Sequence, residues 1–267
     1  MEVSKGRFSM RAIIGTLAVL ALVFAVTREA VPAPTPQEIL DSIQGQASLT
    51  GSSRAVIEMT VEKGRQSKIQ RLAVYRSDDG RGTTKQFVEF QSPADVRGTK
   101  FLSITAPGQE DQMWIYLPAV GRERRIAGSA VQGKFMGTDF TYEEIAATSG
   151  TWSGYNPELR LDEHVDGRDC YSLVLTPKTE TATYSSVKMA VWKEGSLPIR
   201  IEFESRGAKP TRVMSFHELE KNARGKWQPK RIVLHDTGAG SVTTLRILET
   251  SDDPVPDEVF TLRYLRK

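Results

Sequence analysis

The sequence predicts a mainly β protein, organised as one large antiparallel sheet or an open barrel. Apolar and polar residues alternate along many short segments, as in strands that bury only one face. Turn-forming residues separate these segments, and no strand–helix rhythm typical of a parallel sheet is present. Clear examples of the alternation are Ala55, Ile57, Met59 and Val61; Val88 and Phe90; Leu102 and Ile104; and Ile199, Ile201 and Phe203. We count roughly ten strands on this basis.

The N-terminal residues predict export from the cytoplasm. Lys5, Arg7 and Arg11 precede an apolar run over residues 12–26. This run is shorter than the ~20 residues that a membrane-spanning helix needs, and it suits the apolar part of a signal peptide. Residues 1–33 are therefore interpreted as a signal peptide, with a retained inner-membrane anchor as the alternative. Residues 34–267 then form a single domain.

A short helix is expected at the start of this domain. Thr35 is a suitable N-cap, Pro36 suits the first helical position, and Glu38 completes a capping box. The apolar residues Ile39, Leu40 and Ile43 lie on one side of this helix. The strands follow, separated by turns at 79–80, 107–108, 166–167, 195–196 and 238–240, and a second short helix is expected over residues 142–148.

Bulk composition and isolated motifs exclude several classes of site. The net charge of +3 argues against nucleic-acid binding. Residues 128–134 match a P-loop, but Phe135 replaces the serine or threonine that holds magnesium, so nucleotide binding is rejected. The three histidines lack metal-binding spacing, and no cofactor is predicted.

Catalytic nucleophiles are equally unsupported by the sequence. Cys170 is the only cysteine and lies in a strand-like run, so a structural role is predicted and no internal disulfide can form. No G-x-S-x-G motif is present. The adjacent acids Glu143 and Glu144 have no recognisable partner and are interpreted as solvated surface. No catalytic triad is therefore recognisable, although an enzyme that uses an apolar pocket remains an alternative.

Residues 113–142 are unusually rich in methionine and aromatic residues. Trp114 and Tyr116 lie in a segment that is apolar on both faces, and Phe135, Met136 and Phe140 follow in a loop interrupted by glycines. Two interpretations remain open on composition alone. The loop either fills the core of the sheet or forms part of the lid of an apolar pocket.

The order of these segments resembles the outer-membrane lipoprotein-sorting protein family, the LolA-like periplasmic carriers. The resemblance extends over residues 36–265. It rests on residues 38–40 (EIL), 55–61 (AVIEMTV), 90–99 (FQSPADVRGT), 114–118 (WIYLP), 124–126 (RRI), 135–143 (FMGTDFTYE), 167–171 (GRDCY), Trp192, 227–229 (WQP) and 259–261 (VFT).

The resemblance implies a strongly curved antiparallel sheet, or half-open β-barrel, with a few helices covering the concave side. It implies a non-catalytic, monomeric carrier in the periplasm or cell envelope that binds acyl chains of lipoproteins or lipids and moves them between membranes. An inner-membrane transporter would be the donor, and the acceptor would lie in the outer membrane. A lipid-sensing regulator or a transporter-associated subunit of the same shape is the alternative.

The candidate site residues combine the alternation with this resemblance. The predicted acyl-chain cavity consists of Ile57, Met59, Val88, Phe90, Leu102, Ile104, Trp114, Tyr116, Phe135, Met136, Phe140, Ile201 and Phe203. A cluster of arginines at the end of the Trp114 segment is the predicted docking site for a headgroup or a membrane partner, and it comprises Arg122, Arg124 and Arg125. Core packing without any ligand remains the competing interpretation of the strand residues, and a solvated turn remains that of the arginines.

Overall fold

The computed structural model describes residues 33–47, 51–146, 152, 154–179, 184–205 and 212–267. Within residues 34–267 these form one compact unit. The predicted signal peptide or anchor lies outside the described residues, apart from Ala33. No helix among the described residues has the length and apolarity that crossing a membrane requires.

One curved, open antiparallel sheet contains the fourteen strands that the described residues form. The strand order is β6-β5-β4-β3-β2-β1-β14-β13-β12-β11-β10-β9-β7, and β8 pairs with β9 alone. The strands are β1 Gly51–Lys63, β2 Gln66–Asp78, β3 Thr84–Ser92, β4 Lys100–Thr105, β5 Gln112–Leu117, β6 Arg122–Ile126, β7 Tyr155–Leu159, β8 Glu163–Val165, β9 Arg168–Pro177, β10 Ser186–Trp192, β11 Leu197–Glu204, β12 Arg212–Lys221, β13 Trp227–Asp236 and β14 Ser241–Ser251.

The predicted mainly β class is confirmed, but the estimate of roughly ten strands was too low. Three of the additional strands, β6, β7 and β8, are short, and β6 and β7 contain several charged or polar residues. They pair because a neighbouring strand supplies the hydrogen-bonding edge, not because of their own alternation. The turn at Gly64, which has a φ of +59°, directly connects the long strands β1 and β2.

The first helix, α1, extends over Pro36–Ala47. Its capping box forms as predicted, since the Glu38 amide donates to the Thr35 hydroxyl at 3.2 Å and the Thr35 amide donates to the Glu38 carboxylate at 2.7 Å. The second predicted helix is α2, Tyr142–Ala146; residues 147–148 lie outside the described residues. Near the C-terminus, a 3-10 helix at Asp257–Phe260 precedes α3, Leu262–Leu265.

The sheet has two faces, which we call the inner and outer faces. The inner face is covered by α1 and by residues 127–146, which we call the lid segment. The outer face is covered at one side of the sheet by the C-terminal segment, through Val259, Phe260 and Leu265. The pleat assigns each strand residue to one face, so neighbouring residues on one strand point in opposite directions.

Candidate functional site

The inner face carries a continuous apolar surface from β3 to β10. One buried cluster lies beneath the lid segment and includes Met59 and Phe90. A second lies beneath α1 and includes Ile201 and Phe203. Met214 on β12 packs against both clusters, so the two are contiguous.

Part of this surface is accessible to solvent. Four large apolar side chains on the central strands are only half-buried, namely Ile57, Met214, Phe216 and Ile232. Ile232 on β13 lies opposite Phe216 on the neighbouring strand β12. On its other side Ile232 lies opposite Leu245 on β14, which in turn lies opposite Met59 on β1. The half-buried residues therefore lie in the middle of the sheet and connect the two buried clusters.

The lid segment contains a loop that closes on itself between Lys134 and Thr141. These two residues form an isolated antiparallel bridge. The Phe135 amide donates to the carbonyl of Phe140 at 2.7 Å, and the Thr138 hydroxyl donates to the Phe135 carbonyl at 2.7 Å. The chain reverses within this loop at Gly137, whose φ of +77° favours glycine.

Phe135 anchors the lid segment in an aromatic cluster. Its side chain is 1% exposed, and its ring centroid lies 5.7 Å from that of Phe90 and 5.4 Å from those of Phe101 and Tyr142. The edge-to-face arrangement with Phe101 and Tyr142 is a favourable one for aromatic rings. In the described conformation Phe135 thus fills the core between lid and sheet.

Asp139 fixes the same loop to the sheet through polar contacts. Its carboxylate is 3% exposed and accepts hydrogen bonds from the hydroxyls of Ser241 at 2.6 Å and Thr243 at 2.8 Å. Lys134 donates to it at 3.2 Å. Burial raises the pKa of Asp139, but these three hydrogen bonds outweigh burial and hold the pKa below its ordinary value. Asp139 is therefore a charged, fully paired group inside the protein.

Glu144 forms the second polar attachment of the lid segment. Its carboxylate receives two hydrogen bonds from the Arg212 guanidinium, at 2.7 and 2.9 Å, and one from the Tyr184 hydroxyl at 2.7 Å. Arg212 also donates to the backbone carbonyl of Asp139. We call Asp139, Glu144, Tyr184, Arg212, Ser241 and Thr243 the polar latch.

The interpretation of Glu144 as solvated surface was therefore wrong. Its side chain is 12% exposed and pairs with Arg212, which is 68 residues away in sequence. Glu144 also caps α2, because it accepts from the Thr141 amide at 2.9 Å while the Thr141 hydroxyl accepts from the Glu144 amide at 3.1 Å. The spacing of Thr141 and Glu144 is the sequence signal for this capping box.

Most of the predicted cavity residues lie on the inner face. Seven belong to or pack against the cluster beneath the lid segment: Ile57, Met59, Val88, Phe90, Phe135, Met136 and Phe140. Ile201 and Phe203 belong to the cluster beneath α1. Contact of these residues with a ligand remains a prediction.

Four predicted cavity residues lie on the opposite face, so their assignment to the inner face was wrong. They are Leu102, Ile104, Trp114 and Tyr116, which pack with the C-terminal segment. Register gives the reason, since Phe101 lies opposite Val88 whereas Leu102 lies opposite Phe87. The inner-face positions of β4 and β5 belong instead to Phe101, Met113 and Ile115.

The predicted arginine cluster lies on β6, which is an edge strand with β5 as its one neighbour in the sheet order. Arg122 and Arg124 lie opposite Leu117 and Ile115 and share the inner side, whereas Arg125 lies opposite Trp114. All three arginines are exposed, and within the described part of the chain none forms an ion pair with a carboxylate. The edge therefore presents uncompensated positive charge.

Among the described residues, no group of three or more histidine, cysteine, aspartate or glutamate side chains is placed to hold a metal ion. Cys170 is buried in an outer-face cluster with Ala190 and Ile199. Burial is the largest influence on the Cys170 thiol and raises its pKa, which suppresses formation of the reactive thiolate.

The chain is similar to proteins of known sequence and structure. The model of a family described as "Uncharacterized protein" matches residues 82–267, which is more than half of the chain. The chain belongs to this family. No curated protein matches it.

Solved structures extend the comparison to the whole described fold. The domain of an outer membrane lipoprotein-sorting protein from Vibrio parahaemolyticus superposes with a TM-score of 0.79 at 22% sequence identity. A DUF1329 family protein from Desulfovibrio piger superposes with a TM-score of 0.79 at 27% sequence identity. A LolA superfamily protein from Nitrosomonas europaea superposes with a TM-score of 0.69 at 24% sequence identity. Each similarity covers 87% of this chain and 100% of the other. The family member described here thus has a LolA-like fold, and the resemblance seen in its sequence is confirmed.

Proposed function

We propose that this protein is a non-catalytic carrier of the cell envelope. It binds acyl chains of lipoproteins or lipids on the inner face and moves them between membranes. The observation that supports this most directly is the apolar inner face, which is contiguous from β3 to β10, partly accessible, and covered by segments outside the sheet. The lipoprotein-sorting description of the Vibrio parahaemolyticus domain supports the same proposal.

The free energy of burying an acyl chain is large enough to displace the lid segment from the sheet. Burial of one methylene contributes about 0.8 kcal/mol, so a chain of about ten methylenes contributes roughly 8 kcal/mol before ordering costs. Hydrogen bonds to charged groups, such as those of the polar latch, each contribute about 1.5–3 kcal/mol. A few such bonds hold the lid segment against the sheet, and the burial of acyl chains offsets the free energy that breaking these bonds costs.

The exposed arginines of β6 are the proposed docking edge. Arg122 and Arg124 lie at the inner side of the sheet edge, where the lid segment begins at residue 127. Guanidinium groups form paired hydrogen bonds with phosphate and carboxylate groups, which suits an anionic headgroup or an acidic surface of a donor or acceptor protein in the membrane. In this proposal the protein works as a monomer in the periplasm.

The experiment that tests the carrier function is native mass spectrometry of the protein purified from its own envelope, followed by lipid extraction. We expect lipid or acylated protein to copurify. Phe216→Glu, which places a charge on the half-buried inner face, should abolish copurification. Ile104→Glu is the matched control on the outer face and should leave it intact. Copurification that is equal in both variants, or absent from the wild type, contradicts the proposal.

A further inference from the structure

Gln70 is a polar residue at an apolar position of the inner face. It lies on β2 directly opposite Met59, and Leu72 is the next residue of β2 on the same face. Met59 and Leu72 belong to the cluster that contains Phe135 and Phe140 of the lid segment. Gln70 itself is 1% exposed. Its amide is therefore enclosed in the apolar region assigned to the acyl chains.

Both polar atoms of this amide are unpaired within the part of the chain that the structure describes. Among the described residues, neither Oε1 nor Nε2 of Gln70 has a hydrogen-bond partner. A buried amide that loses its bonds to water without gaining others destabilises the folded state, and most buried polar groups in proteins are paired for this reason. An apolar side chain of similar size would fill the same position without this cost.

Gln86 shows how a buried glutamine of this sheet is otherwise accommodated. It is 6% exposed, on the adjacent strand β3, and its Nε2 donates to the backbone carbonyl of Ile145 at 2.9 Å. Gln86 thus connects the sheet to helix α2 of the lid segment. Within the described part of the chain Gln70 makes no such connection, which points to a bound ligand as its partner.

We propose that the Gln70 amide binds the ester or amide group through which an acyl chain is attached to its cargo. Nε2 would donate to the carbonyl oxygen, and Oε1 would accept from an adjacent N–H or O–H group. This inference rests on the proposed carrier function and specifies its ligand class as ester- or amide-linked acyl chains. Every acyl chain that is attached through an ester or amide contains the carbonyl of that linkage, so this polar group enters the site with the chain.

A free fatty acid is a poorer match for this position. Its carboxylate would be buried beside a neutral amide, and an ionised group needs a paired cation to enter an apolar region. The same-face cation nearest in sequence on β2 is Lys68, which already pairs with Asp95 at 3.0 Å. Because Gln70 is buried in the described conformation, the ligand carbonyl reaches it when the surrounding side chains move aside.

The test compares two lipids that differ only in the carbonyl. A phosphatidylglycerol with ester-linked palmitoyl chains and its ether-linked analogue each displace a fluorescent acyl probe from the wild-type protein, Gln70→Leu and Gln86→Leu. We expect the wild type to bind the ester about fivefold to tenfold more tightly, the effect of one net hydrogen bond. Gln70→Leu should bind both lipids equally and should unfold at the same or a higher temperature.

The control and the contrary results separate this inference from the carrier function. Gln86→Leu should keep the ester preference and should unfold at a lower temperature, because it loses a bond within the protein. Equal binding of both lipids by the wild type, or an ester preference that survives in Gln70→Leu, overturns the role of Gln70 and leaves the carrier function standing. Binding of neither lipid by the wild type overturns both.

Discussion

Thr243 on β14 donates a hydrogen bond of 2.8 Å to Asp139 in the lid segment, although the two residues are 104 positions apart in sequence. A second bond joins them, because the Asp139 amide donates to the Thr243 hydroxyl at 3.1 Å. The lid segment is therefore positioned by directional contacts as well as by apolar packing. Such hydrogen bonds depend on distance and angle, so a small displacement of the lid segment breaks them.

Acid should weaken the attachment of the lid segment. The pKa of Asp139 is lowered in the folded protein, so its stabilisation is fully present above the ordinary value of 3.8 and is lost as the pH falls through the lower folded-state pKa. We expect amide hydrogen exchange over residues 134–141 to accelerate in that acidic range. Asp139→Asn should remove this pH dependence, and an unchanged profile in that variant contradicts the assignment.

Removal of Arg212 should destabilise the protein strongly. Arg212→Met leaves the Glu144 carboxylate buried without its main partner, which costs about 3–5 kcal/mol in comparable buried pairs. The free energy of unfolding, measured by denaturant titration, checks this value. The double variant Arg212→Met with Glu144→Gln should recover part of the loss, since no buried charge then remains unpaired. Additive effects of the two substitutions contradict a direct coupling.

Phe135 should contribute more to stability than its neighbour in the loop. Phe135→Ala leaves a cavity among Phe90, Phe101 and Tyr142 and should cost about 3–5 kcal/mol. Met136→Ala, at a half-buried position, should cost about 1 kcal/mol. Denaturant titration of both variants provides the comparison, and equal losses contradict the aromatic anchor.

Cys170 should resist thiol reagents in the native protein. It is fully buried, and the raised pKa of its thiol keeps the thiolate population low. Labelling by iodoacetamide should therefore follow global unfolding, and its rate should rise steeply with denaturant. Rapid stoichiometric labelling under native conditions contradicts the structural role of this cysteine.

Several elements follow from local sequence alone. The capping box of Thr35 and Glu38 involves residues three positions apart, so its formation requires no tertiary contact. The sequence also predicts that Ile201 and Phe203 share one face of β11, because charged residues occupy the alternate positions of this strand. Strand β4 differs, because Phe101 and Leu102 are adjacent, both are apolar, and both are buried. Alternation cannot assign such a strand to a face.

The sequence by itself determined the mainly β class, the first helix, the turn positions and the resemblance to lipoprotein-sorting proteins. These depend on periodicity and short-range hydrogen bonds, which neighbouring residues specify. Only the tertiary structure decided which apolar residues of β4 and β5 share the inner face, that Glu144 is buried against Arg212, and that Gln70 has no hydrogen-bond partner among the described residues. Strand register and contacts between distant residues set these features, because a shift of one residue exchanges the two faces of a strand.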